Sequence, residues 1–129
     1  ERGIPEQTVD CDYDFAAGMA MTEELLARYP QADGILSCND MVAISTYKIL
    51  HKKSISVPGQ IQLIGFDDID PATLISPELS TIRQPLREMA EKATALILQP
   101  NADETMGMEF ILPVTLRIRE TTKGKGREQ

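Results

Sequence analysis

Strand-like apolar runs alternate with helical patterns along this chain. Continuous apolar runs over residues 34–38 and 61–66 are typical of strands buried on both faces of a parallel sheet. Shorter β-prone runs at residues 8–12 and 79–82 predict two further strands. The alternation predicts an α/β fold built on a doubly wound parallel sheet.

Three helical segments separate or follow these strands. Asp14 is a good N-cap for the first helix, which Pro30 ends. The second helix begins after residues 39–40 and ends at the basic turn 51–53, whose charges suit the C-terminal end of the helix dipole. Pro85 opens the third helix. The apolar residues of this third helix recur at helical spacing and form one stripe: Leu86, Met89, Ala90, Ala93 and Ile97.

The C-terminal segment is less regular. Residues 100–107 have the polar composition of a linker. Two strand-like pieces follow at residues 110–112 and 116–118, and Pro113 separates them. We therefore expect a linker followed by two short strands.

The composition is that of a globular domain without a nucleic-acid surface. The 129 residues are enough for one ordinary core. Hydrophobic residues make up 42% and charged residues 26%, which excludes disordered and fibrous classes. The net charge of −7 repels phosphate, and the basic residues at 123–127 are interpreted as a solvated terminus. Direct DNA binding by this chain is therefore not expected.

The cysteines and the hydropathy pattern bear on the cellular compartment. Cys11 and Cys38 are too few and too far apart for a disulfide framework or a zinc site. Both are predicted to be small buried hydrophobes, as in a reducing cytosol. No apolar run approaches the roughly 20 residues of a membrane span, and no signal peptide opens the chain. The sequence predicts a cytoplasmic protein without a membrane partner.

Polar residues follow each of the first four predicted strands. Ligands of open α/β sheets bind in the crevice beyond the carboxyl ends of the strands, so these residues are expected on one edge. Helix capping is the alternative explanation at any single position, but a shared site explains the whole set better. The set comprises Tyr13, Asn39, Asp67 and Gln84.

The residue types in this set suit a neutral polyol. Carboxylate and amide groups accept and donate hydrogen bonds to paired hydroxyls, and the ring of Tyr13 suits the apolar face of a sugar. No Gly-rich phosphate cradle occurs in the sequence. We expect a small carbohydrate as the ligand, with no cofactor and no metal.

Catalysis has little support in the sequence. His51 is the only histidine and lies in the basic turn, and no Gly-x-Ser-x-Gly motif occurs. Asp67 and Asp68 have the donors to hold magnesium, which leaves a phospho-accepting receiver domain as an alternative. A receiver carries its acidic pair after the first strand and a lysine after the fifth, which this chain does not match. We therefore rank a binding module above a receiver or any other enzyme.

Three stretches resemble one family of bacterial regulators. Residues 32–43 resemble the lactose-repressor/galactose-repressor (LacI/GalR) stretch in which a buried strand ends in Asn-Asp before a helix. Residues 56–69 resemble the family's Val-Pro and Gly-Phe-Asp motif, and residues 77–85 resemble its Pro-x-Leu-Thr-Thr-x-x-Gln-Pro motif. The match keeps order and spacing over nearly the whole chain. It identifies the C-terminal part of an effector-binding core with a periplasmic-binding-protein-like type I fold.

This resemblance implies particular residue roles and partners. The implied partners are a sugar effector, a second copy in a homodimer, and operator DNA bound only through a helix-turn-helix domain that this sequence does not contain. The implied effector contacts are Tyr13, Asn39, Asp67, Gln84 and Leu86. The implied dimer contacts, for which local core packing is nearly as good an explanation, are Met41, Val42, Tyr47, Ile69, Leu74 and Ile75.

The resemblance also implies a division of the chain. Residues 1–84 correspond to part of the C-terminal subdomain, and residues 114–129 to a returning strand and basic tail. Residues 85–113 correspond to a crossover helix and strand that pack on the absent N-terminal subdomain. We expect this helix to exchange with a second copy, and the chain alone to bind sugar weakly. A periplasmic sugar-binding protein has the same fold, but the run at residues 79–85 is closer to the repressors.

Overall fold

The computed structural model describes residues 7–98 and 109–124. In chain order its helices and strands are α1 (Phe15–Arg28), β1 (Gly34–Leu36), α2 (Asp40–Lys52), β2 (Gln62–Ile64), a 3-10 turn (Asp70–Thr73), β3 (Thr81–Arg83), α3 (Leu86–Ile97) and β4 (Thr115–Arg117). The predicted linker at 100–107 and most of the basic tail lie outside the described residues. Among the described helices none is both long enough and apolar enough to cross a membrane.

The strands follow one another across a mixed sheet. β1 and β2 are parallel, with Ile35 opposite Leu63. Isolated parallel bridges, Ile64 to Ser80 and Asp67 to Arg83, continue the order from β2 to β3. β3 then pairs with β4 in the antiparallel direction. The predicted parallel pairing is confirmed for β1 and β2. β4 adds an antiparallel edge strand, which is common on an otherwise parallel sheet.

Close packing of α1 on α2 covers the core. Asp14 caps α1 as predicted, since its carboxylate accepts a hydrogen bond from the Ala17 amide at 2.8 Å. Gly18 lies where α1 meets α2, and a Cβ there would collide with Ser45 Oγ. The core residues are Ile35, Ala43, Leu50, Ile61, Leu63, Ala72 and Leu79.

Burial on both faces was predicted for β1 and is wrong. Ile35 lies in the core, whereas Leu36, which points to the opposite face, is 71% exposed. The prediction of two buried cysteines is also wrong. Cys38 is exposed because it lies just beyond the end of β1, and Cys11 is partly exposed because it lies in a run that joins no strand.

Two predicted strands do not form. Residues 8–12 and 110–112 have no assigned secondary structure. Neither run finds a ladder partner among residues 7–98 and 109–124, and the ring of Phe110 instead lies 4.3 Å from Lys92 Nζ of α3.

The third helix forms as predicted, but none of its residues is buried. A packing partner for its apolar stripe therefore remains a prediction.

Candidate functional site

Backbone hydrogen bonds place the strand ends side by side on one edge of the sheet. The amide of Asp40 donates to the Phe66 carbonyl at 2.8 Å, which joins the ends of β1 and β2. The amide of Asp67 donates to the Ile82 carbonyl at 2.9 Å, which joins the ends of β2 and β3. The predicted polar residues therefore share an edge, and they fall into two contacting pairs.

Asp67 and Gln84 form the first pair. Gln84 Nε2 donates to Asp67 Oδ1 at 2.6 Å. Both residues line an open cleft of about 620 Å³ between the ends of the strands and the first turns of α3. Leu86, the third predicted contact here, is 60% exposed and lines the same cleft. Three of the predicted effector contacts thus surround one space, with a carboxylate, an amide and an apolar surface.

Tyr13 and Asn39 form the second pair. Asn39 Nδ2 donates to the Tyr13 carbonyl at 3.1 Å, and Asn39 Oδ1 accepts from the Val42 amide at 2.8 Å. Asn39 therefore caps α2, as the capping alternative predicted. The Tyr13 side chain is 75% exposed. Neither residue lines the cleft that contains Asp67, so the structure does not gather all five residues around one cavity.

Asp68 has a different environment from its neighbour Asp67. Its side chain is 2% exposed and pairs with both Arg83 and Arg119. Burial would raise the pKa of Asp68, but the hydrogen bonds and positive charges of the two arginines outweigh burial and hold the pKa below its usual value. The sequence left open that Asp68 binds magnesium. In the structure its carboxylate instead belongs to an ion-pair cluster with Arg83 and Arg119. Arg119 was missed because nothing in the spacing of the sequence connects it with Asp68.

Asp40 was also missed as a member of the site. It is fully buried behind the strand ends, where it accepts hydrogen bonds from Thr81 Oγ1 at 2.5 Å and from the Ile69 amide at 2.9 Å. Burial raises the pKa of this carboxyl group, although the hydrogen bonds from Thr81 and Ile69 act in the opposite direction. An Asp at the start of a helix is ordinary in a sequence, so no local signal distinguished it.

The predicted dimer contacts differ in accessibility. Met41 is 40% exposed and Leu74 is 80% exposed. Val42 is buried, and Ile75 packs against the chain's own core. Tyr47 also packs against that core, and its hydroxyl donates to the Ser76 carbonyl at 2.7 Å, which ties α2 to the 70–76 loop. Ile69, the remaining member, donates its amide to Asp40.

Comparison with known proteins identifies the family. A family model described as a periplasmic binding protein-like domain matches residues 1–122. A lactose operon repressor of Rhizobium radiobacter is 31% identical over 106 residues, covering 82% of this chain and 94% of the relative. The chain belongs to the lactose-repressor/galactose-repressor family, as a periplasmic-binding-protein-like domain. The fold predicted from the sequence is confirmed.

Other members of the family are longer than this domain. The ribose operon repressor of Bacillus subtilis is 38% identical over 109 residues, which cover 81% of this chain and 32% of the relative. The chain thus spans about a third of the length of that repressor.

Two solved structures of regulators carry bound sugars. A LacI family regulator from Arthrobacter sp. FB24 in complex with lactose has a TM-score of 0.74 and 31% identity, covering 88% of this chain and 44% of its own. A LacI family regulator from Enterococcus faecium with bound ribose has a TM-score of 0.70 and 30% identity, covering 87% of this chain and 41% of its own.

Proposed function

We propose that this domain is the C-terminal part of the sugar-sensing core of a transcriptional repressor. The contact between Asp67 and Gln84 at the cleft supports this most directly. A carboxylate accepts hydrogen bonds from two neighbouring hydroxyls, and an amide both donates and accepts, so the pair suits a neutral sugar. The sugar complexes of the two similar regulators support the same ligand class.

The other partners follow from the same proposal. With a net charge of −7, this domain is not the DNA-binding part, so operator DNA is assigned to a separate domain of the gene product. The proposed protein is a cytoplasmic homodimer that binds and does not catalyse. Tyr13 and Asn39 form the far end of the proposed sugar site, where the exposed ring of Tyr13 covers an apolar sugar face.

Titration of the complete gene product tests the sugar site. D-ribose and lactose are titrated by calorimetry against the wild type, Asp67→Ala and Asp33→Ala. The Asp67→Ala change is expected to weaken sugar binding by about 2 kcal/mol or more, since it removes a charge-assisted hydrogen bond. Asp33 is an exposed carboxylate just before β1, at the opposite end of that strand, and serves as the control. Equal affinities of all three proteins would remove Asp67 from the site.

A further inference from the structure

Asp40 connects both ends of the segment that carries Asp67. Its own amide donates to the Phe66 carbonyl at 2.8 Å, and its Oδ2 accepts from the Ile69 amide at 2.9 Å. Its Oδ1 accepts from the Thr81 hydroxyl, which belongs to β3. This one buried residue therefore holds Phe66 through its amide and Ile69 through its carboxylate, and the carboxylate also links the segment to β3.

The segment held in this way has an unusual backbone. Asp67 has φ 116° and Asp68 has φ 61°, in the region that residues with a Cβ rarely adopt. Such conformations persist only where the surrounding contacts hold them. Gly65 precedes the segment, and a Cβ at this position would collide with Asp40 Oδ1. The carboxylate thus packs directly against the backbone that turns toward the cleft.

Helix capping does not explain the Asp40 carboxylate. Asn39 already caps α2 through the Val42 amide. Arg83 and Arg119 pair with Asp68, and neither forms an ion pair with Asp40 among the described residues. A fully buried carboxylate is costly, and here the compensating hydrogen bonds come from the 66–69 segment and from Thr81. Its position at the first turn of α2 favours the negative charge.

We propose that Asp40 is a positioning residue of the sugar site, because it fixes the 66–69 segment so that Asp67 faces Gln84 and the cleft before a sugar binds. This inference rests on the proposed function. Asp40 has no exposed surface and does not itself contact the ligand. It acts through the backbone on either side of Asp67.

Binding measurements on the complete gene product test the proposal. Asp40→Asn keeps the size of the side chain but replaces one acceptor oxygen by a donor NH₂ group. It is expected to raise the dissociation constant for D-ribose or lactose about tenfold, the loss typical of one buried hydrogen bond to a charged group. Thr46→Val is the control, because it removes a buried hydroxyl of the contact between α1 and α2, away from the 66–69 segment. The control is expected to leave the dissociation constant unchanged.

A double mutant separates positioning from general destabilisation. If Asp40 acts through Asp67, adding Asp40→Asn to Asp67→Ala costs little further affinity. Additive losses would overturn the proposal, because independent effects add.

Hydrogen exchange provides a readout that needs no sugar. The two variants are compared under conditions in which their free energies of unfolding are equal. The backbone amides of residues 66–69 are then expected to exchange faster in Asp40→Asn than in Thr46→Val. Unchanged protection of this segment would overturn the positioning role. A wild type that binds neither sugar would count against the proposed function, while the exchange comparison would still decide the role of Asp40.

Discussion

At the scale of single residues, Asp67 and Asp68 show how adjacent carboxylates acquire different tasks. Asp67 lines the open cleft and accepts from Gln84, whereas the Asp68 side chain is almost fully buried between two arginines. Both have positive φ, and their carboxylates contact different partners. Asp67 is therefore suited to bind a ligand, whereas Asp68 stabilises the edge of the sheet.

Asp68 is predicted to make stability depend on pH. The pKa of Asp68 is lowered in the folded state, whereas in the unfolded chain it is about 3.9. As the pH falls below about 3.9, Asp68 therefore takes up its proton in the unfolded chain before it does so in the folded one. The stabilisation is therefore present above that value and is lost as the pH falls toward the lower, folded pKa. Asp68→Asn is expected to lower the free energy of unfolding by about 3 kcal/mol at pH 7. This is the low end of the range for breaking a buried ion pair, because Arg83 is half exposed.

Urea unfolding from pH 7 down to pH 2 measures this effect. The difference in free energy of unfolding between wild type and Asp68→Asn should shrink below about pH 4, as Asp68 becomes protonated in the unfolded chain. Asp70→Asn, at an exposed position two residues further on, is the control and should stay close to wild type. A constant difference across the whole pH range would contradict the assigned role of Asp68.

At the scale of elements, the close contact between α1 and α2 contributes to the stability of the domain. Gly18 permits the close approach, and hydroxyls of Thr22 and Thr46 meet across it at 2.9 Å. Gly18→Val is expected to destabilise the domain by about 2–3 kcal/mol through overpacking against Ser45 and the Val42 backbone. Thermal unfolding of this variant against Ala20→Val, at an exposed position of α1, measures the effect. Equal melting temperatures of the two variants would show that α1 and α2 accommodate the larger side chain without loss of stability.

At the scale of the whole molecule, the exposed face beside the 70–76 loop is proposed as the dimer contact. Leu74 is 80% exposed and Met41 is 40% exposed, and both are apolar. Leu74→Lys in the complete gene product is expected to shift the dimer toward monomer, because it places a charge in a desolvated interface. Light scattering during gel filtration gives the mass. If the mass does not change, the interface lies elsewhere.

The sequence alone determined the features that depend on neighbours along the chain. Helical periodicity and the caps Asp14 and Asn39 placed α1 and α2, because caps and turns act over three or four residues. The alternation of strands and helices placed polar residues at the strand ends on one edge. The sequence placed Asp67 and Gln84 on this edge, but the hydrogen bond between them was seen only in the structure.

Tertiary structure decided what depends on residues distant in sequence. Asp40 and Thr81 are 41 residues apart, and Asp68 and Arg119 are 51 apart, so no local pattern connects them. The exposure of Leu36 and the unpaired run at 110–112 also depend on which elements cover each face. Hydrophobicity indicates which side chains favour burial, but the tertiary structure decides which of them are covered by other elements. The carboxylates of Asp67, Asp68 and Asp40 are chemically alike, and their surroundings in the fold give them different roles.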